Sequence, residues 1–225
     1  MIVLEIVHGP VRRGRTVVLE PGRIRASAPA AIALIGVNGS GKSSLHLQLA
    51  GVLRAGALAS IRSGDRPATL AWVPQQPAFP SWLRVADVVR MYGFDPDALI
   101  AETAALHLER IAARRAEALS AGERQALAIA LALARGADVT LLDEPFAALD
   151  FRRRSGAIEL LRERRARGGS FLLSSQSAAD LVGLCDHHVV IRDGRYVFSG
   201  TAAHLEARTG TDSGDMEQWL LQLLT

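Results

Sequence analysis

The stretch GVNGSGKS, residues 36 to 43, satisfies the spacing G-x-x-x-x-G-K-[ST]. Glycines so placed let successive backbone N–H groups wrap a phosphate, and a lysine directly after the last glycine can reach terminal phosphates. The hydroxyl of Ser43 is a hard oxygen ligand suited to Mg²⁺. Lys42 stands out for a second reason, because the 26 basic residues include no other lysine. A compact ammonium is not replaceable by a planar guanidinium where space around a phosphate is tight. The plainer alternative is an ordinary Gly/Ser turn. The setting argues against it: the apolar run AAIALIG (30 to 36) precedes the loop, and SSLHLQLAGVL follows with helical spacing.

Two further stretches carry chemistry of a matching kind. VTLLDE, 139 to 144, ends an apolar run on two carboxylates. Asp143 is placed to hold Mg²⁺ through water, and Glu144 to orient and deprotonate an attacking water. Two carboxylates at a strand end can also be plain helix caps. LSAGERQ, 119 to 125, stands before a long apolar segment, so Ser120 and the N–H groups of Ala121 and Gly122 form either an ordinary cap or a second anion site. FLLSSQ, 171 to 176, is a third apolar run with a polar end, and it delivers Gln176.

The elements that must position these residues alternate. Residues 1 to 27 read as short antiparallel strands, 82 to 135 as helical throughout, and 139 to 200 as buried strands separated by helices. Strands alternating with helices imply an α/β fold with a mostly parallel core. The chain of 225 residues is 49% hydrophobic, enough for a substantial core. One cysteine, Cys185, gives no disulfide framework, and Glu5 sits where a secretory signal would be basic. The expected setting is a reducing cytoplasm. The longest strongly apolar stretch, ALAIALALA at 126 to 134, is well short of a membrane span.

Taken in order, the phosphate loop, VPQQP, LSAGE, LLDEP, AALD and an apolar strand ending SSQ resemble the ATP-binding subunits of ABC transporters, over nearly the whole chain. The resemblance implies a P-loop NTPase (RecA-like) core with an antiparallel β subdomain and an inserted helical subdomain. It divides a single ATP-binding domain, 1–225, into a core of 1–75 and 136–225 and a helical subdomain of 76–135. It implies that Gly36, Val37, Asn38, Gly39, Ser40, Gly41, Lys42, Ser43 and Ser44 form the Walker A loop. Gln75 then resembles the Q-loop glutamine at the metal and the membrane partner, and Asp143 and Glu144 resemble Walker B. Ser120, Ala121 and Gly122 occupy the signature, which contacts ATP held by an opposite subunit, and Ala147 to Asp150 the D-loop. The implied ligands are ATP and Mg²⁺, the metal on Ser43, Gln75 and Asp143. The implied partners are a second ATP-binding subunit and separate transmembrane permease subunits, on the cytoplasmic face of the membrane.

Three departures sharpen this reading. LSAGE stands for the common LSGGQ, which leaves the serine and backbone N–H groups in place. No aromatic residue precedes Trp72, although the family usually stacks an aromatic on adenine from its N-terminal sheet; His8 and Arg13 are the substitutes in view. Gln176 falls where the family places a histidine that contacts the γ-phosphate, so reduced turnover is expected, with Glu144, Gln176 and Lys42 as the catalytic set. The segments LRVADVVRMYG and LCDHHVVIRDGRYVFSG look most like single-domain subunits of ABC-2-type exporters, which implies export. An ATP-gated clamp acting on a membrane partner without moving solute would carry the same motifs. Cys185, His187 and His188 straddle a strand start and read as structural rather than metal-binding. The arginines of FRRRS and LRERRARGG read as a solvated helix face, and no nucleic-acid partner is expected. MEQWLLQLL, 216 to 224, reads as a docking helix.

Overall fold

The computed structural model describes residues 3–53, 59–176, 181 and 183–204. The helix expected at 216 to 224 and the one expected after Gln176 lie outside the described residues.

The N-terminal third alternates buried and exposed residues, as an antiparallel sheet with one covered face requires. It forms β1 (Val3–His8), β2 (Val11–Arg13), β3 (Thr16–Leu19) and β4 (Gly22–Ser27). After β5 (Ala31–Gly36) and α1 (Lys42–Leu49) come β6 (Ala59–Ser63) and β7 (Arg66–Pro67). One four-stranded sheet runs β4-β1-β6-β7, and β2 and β3 form a separate hairpin.

The middle of the central sheet is built from largely apolar runs. The strands of this sheet are β5, β8 (Leu70–Val73), β9 (Val139–Asp143), β10 (Ser170–Ser175), β11 (His187–Arg192) and β12 (Arg195–Gly200), in the order β12-β11-β5-β10-β9-β8. All neighbours pair in parallel except β11 and β12. Every residue of β5, β9 and β10 is buried, because both faces are covered. Ile32 and Leu34 of β5 pack with Leu4, Ile6 and Leu45 on one side, and Ala31, Ala33 and Ile35 with the helices on the other. The sheet is thus the middle of three layers.

Between β8 and β9 the chain forms α2 (Val85–Met91), α3 (Pro96–Glu102) and α4 (Ala121–Ala134). The helix expected to run through DALIAETAALHLERIAARR ends early. Thr103 turns its hydroxyl back to the Leu99 carbonyl at 2.7 Å, and His107 adopts φ 55, so the remainder becomes three short 3₁₀ turns. α4 survives intact because Ser120 and Glu123 form a reciprocal capping box and its apolar run is buried. Helix α5 (Phe151–Ala166) starts where it does because Asp150 caps it by accepting from the Arg153 N–H at 2.9 Å.

Candidate active site

Parallel strands deliver their C-terminal ends to one edge of a sheet, and here every motif residue of the core follows such an end. Register aligns Ser174 of β10 with Asp143 of β9, and Val73 of β8 with Leu142. Gln75 follows β8, Glu144 follows β9, Gln176 follows β10, and the phosphate loop follows β5. A cavity of about 160 Å³ opens there, lined by Asn38 to Ser44, Gln75 and Glu144 together with Arg13 and Val18.

The loop needs its glycines for two reasons. Gly41 has φ 106, a conformation disfavoured for any residue with a side chain, and a Cβ there would lie 3.0 Å from the Val18 carbonyl oxygen. The turn leads into the first residues of α1, which line the cavity at the end of the helix where the dipole favours an anion. Lys42 is buried, and its Nζ donates to the carbonyls of Gly36 at 2.7 Å and Val37 at 3.2 Å. Burial pulls the Lys42 pKa down, against the pull of Glu144 and Asp143. Gly36 and Val37 therefore hold the lysine rather than line the cavity.

Beneath the loop the two carboxylates have separate surroundings. Asp143 accepts from Ser43 Oγ at 3.1 Å and from Ser174 Oγ at 2.6 Å. Glu144 Oε1 lies 3.7 Å from Lys42 Nζ, and its backbone N–H donates to Ser174 Oγ at 3.0 Å. Burial raises the Glu144 pKa, opposed by Lys42 and by hydrogen bonds donated from the side chain and backbone of Gln176. Glu144 also has φ 49, an uncommon left-handed conformation that turns the chain sharply off the strand. Ser174 was not singled out by sequence; the signal was the pair of serines in FLLSSQ, but only strand register shows which one meets Asp143.

The donors present suit magnesium. Ser43, Asp143 and the Gln75 amide oxygen are hard oxygen ligands, and Ser43 and Asp143 already face each other. Ser120, Ala121 and Gly122 stand apart, at the start of α4, and do not line this cavity. Ser120 Oγ accepts from the Glu123 N–H at 3.2 Å, and Glu123 returns the bond at 2.8 Å. A Cβ on Gly122 would come 2.5 Å from the Ala148 carbonyl oxygen, so the LSAGE turn and the 147–150 segment are in direct contact.

A family model described as ABC transporter matches residues 23–147, more than half of the chain. The manganese transport system ATP-binding protein MntA of Synechocystis sp. is 34% identical over 78% of this chain and 73% of its own length. The chain belongs to the ABC transporter family. It is an ATP-binding subunit of that family, and such subunits are ATPases. The lipopolysaccharide export system ATP-binding protein LptB of Acidithiobacillus ferridurans is 26% identical over 83% of the chain and 85% of its own length. The hemin import ATP-binding protein HmuV of Streptomyces coelicolor is 31% identical over 88% and 78%. A solved structure titled as an ATP-binding subunit of an ABC transporter superposes with TM-score 0.84 over 99% of this chain and 100% of its own, at 23% identity, which establishes the P-loop NTPase fold.

In this ABC subunit one sequence-derived substitute for the adenine-stacking aromatic fails. His8 is buried, its Nε2 lies 2.6 Å from the Tyr196 hydroxyl and its Nδ1 2.8 Å from the Gly9 carbonyl, so its ring serves the junction of β1 and β12. Its packing explains the mismatch: the alternation of β1 turns His8 inward. Cys185 is buried and free, and burial pushes its thiol pKa up. His187 bonds Ser199 at 3.1 Å, and no metal-holding group of His, Cys, Asp or Glu exists among the described residues. Among those residues no helix is long and apolar enough to cross a membrane.

Proposed function

We propose that this subunit binds MgATP at the Walker A loop, closes head to tail with a second ATP-binding subunit, and drives separate permease subunits from the cytoplasmic face of the membrane. The observation that carries this reading is that Lys42, Ser43 and Glu144 line one cavity, with Asp143 bonded to Ser43 and Gln176 bonded to Glu144. In the proposed reaction Lys42 leaves the Glu144 carboxylate to pair with phosphate oxygens. Glu144 then takes the proton of a water whose oxygen bonds to the γ-phosphorus, while the bond to the β-phosphate oxygen breaks and ADP departs with the electron pair. Magnesium on Ser43, Asp143 and Gln75 would offset the phosphate charge. Gln176 holds Glu144 in place and offers an amide to the γ-phosphate or the water. Ser120, Ala121 and Gly122 would complete the site of the partner subunit.

Residues 1–225 would act as one ATP-binding domain, with 76–135 as its helical subdomain. That region offers a groove of about 310 Å³ lined by Trp72, Phe79, Tyr92 and Arg135 among others, beginning at Pro74 and Pro77 beside Gln75. A permease segment seated there would touch both the helical region and the chain leading to the metal site.

Glutamine cannot take up a proton as histidine does, so slow hydrolysis is expected, or an asymmetric dimer whose partner supplies histidine. Turnover of the purified chain beside Gln176→His is the test: wild type should run several-fold slower, and equal rates would sink the idea of impairment. For direction, the two exporter-like segments and the LptB relative favour export, whereas the HmuV relative is named for import. Vesicles carrying this subunit and its cognate permease, with ATP supplied on the subunit's side, would accumulate substrate in their lumen if the system exports and lose it if the system imports.

A further inference from the structure

Segments remote in sequence meet at the start of α4, and charges join them. The Glu123 carboxylate accepts from the Ser120 N–H at 2.8 Å and from Arg114 Nη1 at 2.8 Å, and it lies 3.8 Å from Arg153 Nη2. Arg153, in the first turn of α5, donates through Nη1 to Asp150 Oδ2 at 2.8 Å and through Nε to the Leu106 carbonyl at 3.3 Å. The result is an alternating chain of charges, Arg114, Glu123, Arg153 and Asp150, that runs from the turns before α4 to the cap of α5. The side chains of Glu123 and Arg153 are 13% and 15% exposed, so solvent screens this pair less than an ion pair on the open surface. Burial pushes the Glu123 carboxyl up, but Ser120, Arg114 and Arg153 outweigh it and hold its pKa below the ordinary value.

A capping box accounts for part of this arrangement. The cap needs an acceptor at the third position of the helix, and a glutamine serves there as well as a glutamate. The cap uses neither the negative charge of Glu123 nor the inward turn of Arg153. Both straddle the place where a Cβ on Gly122 would come 2.5 Å from the Ala148 carbonyl oxygen. Ser120 to Gly122 lie on one side of that contact and residues 147–150 on the other, so the charges fix how the turn is set on the core. Removing one member leaves its partner half-buried and unpaired.

We propose that Arg153 is the positioning residue of the signature turn. Through Glu123 and Asp150 it holds Ser120, Ala121 and Gly122 at a fixed spacing from the 147–150 segment, so the turn meets the nucleotide of a second subunit already formed. The proposal rests on the reading of Ser120 to Gly122 as parts of a site completed across two subunits.

The test uses the full chain with Glu144→Gln as a common parent, so that bound MgATP persists. Against it stand Glu123→Gln, which keeps the cap and loses the charge, and Arg153→Met, which keeps an aliphatic stem. Sedimentation velocity reads ATP-driven self-association, and calorimetry at concentrations below association reads the MgATP affinity of the monomer. Each variant should weaken association roughly five- to thirtyfold while MgATP affinity stays within about twofold, and the double variant should be no worse than the weaker single one. Amide exchange without nucleotide should show residues 119–123 and 147–153 opening together in both variants, with β5 and β9 unchanged. Association equal to that of the parent, effects that add in the double variant, or opening confined to the substituted helix would each overturn the positioning role. A parent that binds MgATP but stays monomeric would overturn pairing between copies of this chain, and this proposal with it; a parent that binds no MgATP would overturn the nucleotide reading as well.

Discussion

At Glu144 opposing forces set the state of the proposed general base. Burial favours the protonated carboxyl, while the Lys42 ammonium at 3.7 Å and the donors of Gln176 favour the carboxylate, and burial prevails. A base must be ionised to accept a proton, so the sign follows: hydrolysis should fall as pH drops, with a midpoint above the ordinary glutamate value of 4.5. A pH profile of single-turnover hydrolysis checks this, and a midpoint at or below 4.5 would contradict it. Ser174 makes a second residue-scale case. Ser174→Ala removes the donor to Asp143 and leaves the Glu144 N–H buried without its acceptor, which costs about 2 kcal/mol of stability. Urea midpoints measure that loss, and MgATP affinity should fall as well, because Asp143 then depends on Ser43 alone for orientation. The placement of Lys42, Asp143 and Glu144 at one sheet edge was legible because their spacing is tied to the motifs that carry them. That of Ser174 was hidden, because two adjacent serines on a strand face opposite ways and only the neighbouring strand decides which one matters.

Elements convert those residues into a site through close approach of backbones. Helix α5 crosses the 104–106 turn at Gly156, where a Cβ would sit 2.1 Å from the Ala105 carbonyl oxygen. Gly156→Ala gains about 1 kcal/mol of helix propensity but forces the turn away, and overpacking of this kind costs about 1–3 kcal/mol. The clash is with backbone, so repulsion should win and chemical denaturation should show a net loss of about 1–2 kcal/mol. An unchanged or raised midpoint would mean the turn yields freely. Continuous apolar runs made β5, β9 and β10 legible in the sequence, since a parallel strand covered on both faces has few other readings. The segment after Glu102 was not legible, because its apolar spacing suits a helix. The local competition from the Thr103 hydroxyl and the left-handed turn at His107 is invisible to periodicity.

For the molecule as a whole, one sheet divides two cores and gathers four chain segments at one edge, so the proposed catalytic residues are held by packing rather than by loops alone. The signature residues lie away from the cavity they resemble parts of, which is what a site completed by a second subunit requires. The order of motifs made this architecture readable, whereas the choice between His8 and Arg13 was not, since only the folded sheets bury one and expose the other. If ATP is bound by the loop and cleaved with Glu144 as base, MgATP affinity and single-turnover hydrolysis measured in parallel for wild type and Glu144→Gln should separate. Affinity should stay within about threefold of wild type while hydrolysis slows by roughly 10²–10⁴. Hydrolysis that persists at the wild-type rate in Glu144→Gln would contradict the proposed role of Glu144.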